Sequence, residues 1–88
     1  RKVEISFGDM DKFQNVLLKE EQLKGVSFND LRLMQNEFYA RRGKRFTVAA
    51  YKQAFEWQDW YKPLKDQKKV KLNPTEEANV KLLQAYEA

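Results

Sequence analysis

The sequence predicts an all-α domain, a small compact bundle of about four helices. Three observations support this fold class. The 88 residues include only 3 Gly and 2 Pro, few for a fold rich in β-turns. A hydrophobic content of 42%, with 14% aromatics, is enough for one modest core and too high for a disordered tail. Apolar residues recur at helical spacing. We therefore interpret residues 1–88 as a single domain.

The first helix is predicted to begin near Ser6 and to run towards Leu23. Residues 1–22 are interpreted as an N-terminal helix or extension of the domain. Asp9 follows Ser6 by three residues, which forms a weak capping box. The apolar stripe of this helix comprises Phe13, Val16, Leu17 and Leu23. Gly25 is a suitable stop in the left-handed region.

The second helix has the clearest signals at both ends. Ser27 is the predicted N-cap, with Asp30 in the first turn, and Gly43 is the predicted C-terminal stop. Glu37 and Arg41 stand at i and i+4, in the order that favours an ion pair. The buried face comprises Leu31, Met34 and Phe38, widened by Leu33 and Tyr39.

A short third helix is predicted from its cap at Thr47 to Trp57. Phe46 and Tyr51 have the spacing of a hydrophobic staple across its first turn. The helix cannot continue through the following aromatic loop, because its proline disfavours helical backbone at the residue before it. That loop reads Trp60-Tyr61-Lys62-Pro63.

A basic loop over 62–71 precedes the last helix. The sequence Asn73-Pro74-Thr75-Glu76 predicts the start of this helix. Asn73 is the N-cap, Pro74 occupies the first helical position and Glu76 the third. The predicted buried face of this helix comprises Ala78, Leu82, Leu83 and Tyr86.

The residue inventory predicts no catalytic residue, no metal site and no cofactor. The chain has no Cys, so it has no thiolate ligand for a metal. It also has no His, which is the commonest general base near neutral pH and a frequent metal ligand. Its paired carboxylates, such as Glu76 and Glu77, are explained by helix-end stabilisation. No apolar run reaches the length of a membrane span, and no signal peptide is present in these residues. The start at Arg1 suggests an excised domain or a processed product.

Positive charge is concentrated in residues 41–71, which hold 10 basic and 3 acidic side chains, a balance of +7. The candidate contact surface comprises Arg42, Lys44, Arg45, Lys62, Lys65, Lys68, Lys69 and Lys71. Such a surface can bind an anionic wall polymer, a protein, a membrane surface or nucleic acid, or it can be only a solvated loop. Nucleic acid is disfavoured, because lysines dominate the loop and no recognition-helix pattern is present.

The run Tyr39-Ala40-Arg41-Arg42-Gly43 resembles the signature of the YARHG domain, a small bacterial module. The resemblance extends over residues 23–88 and leaves residues 1–22 at its edge. It includes the preceding Asn36-Glu37, the Trp60-Tyr61-Lys62-Pro63 element, and Glu76 with Asn79 in the closing helix. One departure is clear: Arg42 stands where the family has histidine, so no pH-dependent chemistry is carried over to that position.

The resemblance implies an extracytoplasmic module of a bacterial surface or envelope protein, without enzymatic activity. We therefore predict a non-enzymatic interaction or accessory module whose partner is a protein or an anionic envelope polymer. The alternative is a small basic helical domain that binds nucleic acid.

Two readings of the polar motif remain open. Its residues could form a ligand-binding patch, since arginine recognises carboxylate and phosphate. The favoured reading is an internal network in which Arg41 pairs with Glu37 and reaches Glu76, while Asn36 or Asn79 satisfies loop backbone groups. Trp60 and Tyr61 could likewise stack on a ligand, but are expected to plug the loop onto the core. Trp57, flanked by polar residues, is the aromatic expected to be exposed. The predicted network and motif set comprises Asn36, Glu37, Tyr39, Arg41, Gly43, Trp60, Tyr61, Glu76 and Asn79.

Overall fold

The computed structural model describes residues 5–87, with side chains through Tyr86. Residues 1–4 of the predicted N-terminal segment and Ala88 lie outside the described residues. Three α-helices are present in the described part: α1 (Phe28–Arg41), α2 (Ala49–Phe55) and α3 (Pro74–Glu87). Three short 3₁₀ helices, Met10–Phe13, Glu20–Leu23 and Gln67–Lys69, complete the regular structure. Residues 5–87 contain no β-strand, so the all-α class is confirmed, while the predicted count of about four helices is not.

The core lies between α1 and α3, which have the most extensive contact of any two helices in the described part of the chain. The N-terminal segment, residues 5–23, packs across both helices. Leu31, Met34 and Phe38 of α1 are buried, as their spacing predicts. They meet Leu83 of α3. The N-terminal segment contributes Met10, Phe13, Leu18 and Leu23. The Cα radius of gyration is 12.6 Å, close to the roughly 12 Å expected of a globule of this length.

The predicted first helix from Ser6 to Leu23 is wrong. The segment forms two isolated 3₁₀ turns instead, and Gly8 has a φ of +108° just before the first of them. Two members of the expected apolar stripe, Val16 and Leu17, are more than half exposed. The chain takes this course because distant side chains, rather than helical carbonyls, satisfy its backbone groups, as described below.

The ends of α1 and α3 follow the predicted caps. Ser27 Oγ accepts a hydrogen bond from the Asp30 N–H at 3.2 Å. In α3 the capping box is complete: Asn73 Oδ1 accepts from the Glu76 N–H at 2.8 Å, and Glu76 Oε1 accepts from the Asn73 N–H at 3.0 Å. The buried face of α3 differs from the prediction at Ala78, which is exposed. Its buried positions are Glu76, Asn79, Val80 and Leu83.

Helix α2 is shorter than predicted. Its N-cap is Val48, one residue after Thr47, and it ends at Phe55, two residues before Trp57. The expected contact between Phe46 and Tyr51 is present, with ring centroids 5.8 Å apart. Phe55 is fully buried in an aromatic cluster completed by Phe7, Phe46, Trp60 and Tyr61.

Gly43 ends α1 in a Schellman motif. Its φ is +96°, its N–H donates to the Ala40 carbonyl at 3.0 Å, and the Lys44 N–H donates to the Tyr39 carbonyl at 3.1 Å. A second constraint is steric, because a Cβ on Gly43 would stand 2.5 Å from Leu64 Cγ. Both the backbone conformation and the close approach of Leu64 therefore require glycine.

We expect Gly43→Ala to lower the free energy of unfolding by about 2–5 kcal/mol, of which about 1–2 comes from the left-handed φ and about 1–3 from overpacking against Leu64. Gly8→Ala is the matched control, since its φ is also positive but nothing lies within 4 Å of the added Cβ. Urea denaturation measures both. Equal losses in the two variants would show that the Leu64 contact contributes nothing.

Candidate functional site

The centre of the motif is the carboxylate of Glu37, which is fully buried on α1. Its Oε1 accepts a hydrogen bond from the Gly8 N–H at 2.6 Å, and its Oε2 accepts one from the Met10 N–H at 3.2 Å. Arg41 Nε donates to the same Oε2 at 2.7 Å. Burial raises the pKa of Glu37, and the hydrogen bonds from Gly8, Arg41 and Met10 and the charge of Arg41 oppose this shift.

The Arg41 guanidinium is almost fully enclosed, with 13% of its side chain exposed. Besides Glu37, its Nη2 donates to the Gly8 carbonyl at 3.1 Å and lies 3.8 Å from the carboxylate of Asp11. The guanidinium also stacks 4.0 Å from the centroid of Trp60. Arg41 therefore joins α1 to the N-terminal segment on one side and to the aromatic loop on the other.

The predicted link from Arg41 to Glu76 is wrong, because the neighbouring Arg42 makes this contact. Arg42 Nε and Nη2 lie 2.9 Å and 2.7 Å from Oε1 of the fully buried Glu76. Arg42 is a member of the predicted contact surface, and 37% of its side chain is exposed. Its guanidinium, however, is paired with Glu76 of α3 and is therefore not free to bind a partner. Glu76 Oε2 is buried and has no hydrogen-bond partner among the described residues.

Asn79 on α3 holds the other end of the N-terminal segment. Its Oδ1 accepts from the Leu18 N–H at 2.8 Å, and its Nδ2 donates to the carbonyls of Phe13 at 2.8 Å and Val16 at 3.1 Å. Asn73 adds a bond from its Nδ2 to the Gln14 carbonyl at 2.8 Å. These contacts replace the helical hydrogen bonds that this segment does not make.

The other network candidates have separate positions. Asn36 does not join this network, since its Nδ2 donates to the Arg32 carbonyl within α1 at 2.8 Å. Trp60 and Tyr61 are half-buried against Phe55, as expected of a plug. The Tyr61 hydroxyl donates to the Lys44 carbonyl at 2.8 Å, and burial raises the pKa of Tyr61, as does the charge of Glu56. Trp57 is 85% exposed, as predicted.

Gln67 is a structural residue that sequence reasoning missed. Its Nε2 donates to the carbonyls of Gly43 at 3.0 Å and Leu64 at 2.7 Å, and its Oε1 accepts from the Arg45 N–H at 2.7 Å. A single amide within a lysine-rich loop carries no periodic or capping signal. Through Gln67, the basic loop is fixed to the glycine turn of the motif.

The basic residues of the predicted contact surface divide into two groups. Arg42 is held by Glu76, and Lys44 is half-buried with its Nζ 5.1 Å from the Tyr39 ring centroid. The exposed members are Arg45 and the five lysines of the loop, Lys62, Lys65, Lys68, Lys69 and Lys71. Within residues 5–86, no carboxylate forms an ion pair with these five lysines.

Two further features bear on function. Among residues 5–87, no helix combines the length and apolar character needed to cross a bilayer. In the same part of the chain, acidic side chains do not gather in the groups of three that a metal ion could use.

We expect Asn79→Ala to destabilise the fold by at least about 2 kcal/mol, because it leaves the backbone groups of Phe13 and Leu18 buried without partners. Asn36→Ala is the matched control; it removes one intrahelical bond at a half-buried position and should cost no more than about 1 kcal/mol. Thermal and urea unfolding measure both. Similar losses would contradict the role assigned to Asn79.

We expect Arg41→Ala to destabilise the protein by about 1–3 kcal/mol at neutral pH and by less at acidic pH. The folded-state pKa of Glu37 is above its ordinary value of 4.5, so the stability this carboxyl contributes is present below that value and lost as pH rises through the folded pKa. Removing the guanidinium raises the folded pKa further. The gap between wild type and variant should therefore widen as pH increases.

Urea denaturation of both proteins over a pH series measures this gap. In a Glu37→Gln background this carboxyl is absent and Asp11 is the remaining acidic partner of Arg41, so the loss caused by Arg41→Ala should change less with pH than in the native background. A gap that narrows with increasing pH in the native background would contradict the assigned coupling.

Comparisons with known proteins give the family and no close relative. No curated protein and no solved structure matches the chain. The family model of the YARHG domain matches residues 9–88. The resemblance in the sequence starts at Leu23, whereas the family model already matches from residue 9. The match therefore includes most of the N-terminal segment that Glu37 and Asn79 hold. The chain belongs to the YARHG domain family.

Proposed function

We propose that this domain is a non-enzymatic interaction module of a bacterial surface or envelope protein, and that it contacts an anionic envelope polymer through its basic loop. Family membership indicates an accessory module of extracytoplasmic type. The basic surface is defined here as the five exposed lysines of the loop: Lys62, Lys65, Lys68, Lys69 and Lys71.

The observation that carries this proposal is the combination of free charge with a fixed backbone. The loop is anchored on Gly43, whose carbonyl accepts from the Leu64 N–H at 2.8 Å and from Gln67 Nε2 at 3.0 Å. The one acidic residue of the loop, Asp66, uses its carboxylate to accept from the Lys68 N–H. The lysine charges therefore remain directed at solvent, where they can neutralise a polyanion.

The character of these cations favours a polymer over sequence-specific recognition. Lysine is a flexible point charge without the planar fork by which arginine reads a base edge or a single phosphate group. Of the motif arginines, Arg41 and Arg42 are both held by buried carboxylates. A repeating anion can be bound by several weak contacts that need no fixed register.

We expect a fluorescently labelled poly(glycerol phosphate) to bind the wild-type protein with an affinity that falls steeply between about 50 and 200 mM salt. Replacing all five loop lysines by glutamine should abolish this binding. The matched control replaces five exposed lysines elsewhere, Lys12, Lys19, Lys24, Lys52 and Lys81, so both variants lose the same charge from the net +4. Fluorescence anisotropy measures each affinity.

Equal losses in the two variants would show that net charge alone drives binding and would contradict the assignment to the loop. A DNA duplex of similar charge tests the alternative function in the same assay. Tighter binding to DNA than to the polymer would favour a nucleic-acid-binding domain.

A further inference from the structure

The Tyr39 hydroxyl is the one polar side-chain group of the Tyr39-Ala40-Arg41-Arg42-Gly43 motif that forms no hydrogen bond within the described residues. The guanidinium groups of Arg41 and Arg42 are paired, and Gly43 is covered by Leu64. The ring of Tyr39 is half-buried and packs against the core, but no group of the described residues forms a hydrogen bond with its hydroxyl. The hydroxyl is therefore available to a ligand.

Tyr39 lines a groove of about 550 Å³ between the end of α1, the segment before α3, and α3 itself. This volume is within the roughly 300–1,000 Å³ typical of ligand sites. Its apolar lining comes from Val70, Leu72 and Val80. Such a surface can accept aliphatic side chains.

The groove has a positive rim. Lys71 and Lys81, both exposed, line it from opposite elements, and the Nζ of Lys44 lies 5.1 Å from the Tyr39 ring centroid. One acidic residue, Glu77, also lines the groove. The charge balance is therefore positive, which selects an acidic ligand.

The backbone beside the groove has unused hydrogen-bonding groups. Val70 is extended, with φ −73° and ψ 111°, and the N–H groups of Lys71 and Leu72 have no partner among the described residues. An extended peptide can form main-chain hydrogen bonds with such a segment while its side chains enter the groove.

We propose that this groove binds an extended peptide segment that presents both acidic and aliphatic side chains on one face. A carboxylate of the ligand accepts hydrogen bonds from the Tyr39 hydroxyl and from Lys71 and Lys81, and its aliphatic side chains pack on Val70, Leu72 and Val80. This inference rests on the proposed function only in that both give the domain a binding role. Lys71 is the one residue that the groove shares with the basic surface.

The probe is a labelled, acetylated peptide of Glu-Glu-Leu-Leu repeats, in which each face of the extended chain carries both residue types, titrated with the full chain. We expect Tyr39→Phe to weaken binding by about 5–10-fold with no change in melting temperature, because only an unpaired hydroxyl is lost. The double variant Lys71→Gln with Lys81→Gln should weaken binding further. The matched control, Lys19→Gln with Lys24→Gln, removes two exposed lysines outside the groove and should bind like wild type.

Two comparison peptides separate charge from apolar contact. A peptide of glutamate alone, and the same repeat with glutamine in place of glutamate, should each bind more weakly than the probe. Equal binding of the all-glutamate peptide, unchanged binding by Tyr39→Phe, or an equal loss in the control variant would each overturn the groove assignment.

The same proteins distinguish failure of this inference from failure of the proposed function. A wild-type chain that binds poly(glycerol phosphate) but not the peptide overturns the groove alone. A chain that binds the peptide but not the polymer overturns the basic surface alone. Replacing Lys62, Lys65, Lys68 and Lys69 by glutamine, with Lys71 retained, should preserve peptide binding.

Discussion

The buried carboxylate of Glu37 is the constraint on which the rest of this fold depends. An ionised carboxylate removed from water is strongly destabilising unless donors replace its hydration. Those donors are the N–H groups of Gly8 and Met10 and the Nε of Arg41. The N-terminal segment therefore packs where it does partly because its backbone completes the solvation of a charge on α1.

The two adjacent arginines of the motif contact different parts of the fold. Neighbouring positions on a helix do not share a face, so Arg41 is directed to the N-terminal segment and Arg42 to Glu76 on α3. Gly43 then reverses the chain and accepts the basic loop through its carbonyl. Five consecutive residues thus connect α1 to three other parts of the domain, which explains why so much polar character is concentrated in so short a run.

The sequence predicted the features whose causes are local. The caps at Ser27 and Asn73 and the stop at Gly43 depend on residues within three or four positions, and the structure has all three. The helix at 6–23 was wrong because its hydrogen-bonding groups are satisfied by Glu37 and Asn79, which are distant in sequence. Periodicity alone contains no information about such partners.

The error at Arg41 and Arg42 has a related cause. Spacing pairs Arg41 with Glu37 on one helix, but which arginine meets Glu76 depends on how α3 crosses the end of α1. That crossing is set by tertiary packing, which the local sequence pattern does not contain.

The internal use of the motif's charges also determines where recognition can occur. A guanidinium paired with a buried carboxylate cannot turn to an external anion without leaving that carboxylate unpaired, which costs more than a surface contact returns. The proposed binding roles therefore use groups that the fold does not need, namely the loop lysines, Lys81 and the Tyr39 hydroxyl. Changes at these groups can alter binding while the fold is retained, because none of them satisfies a buried partner. The stability of the fold and the proposed binding roles consequently rest on different side chains.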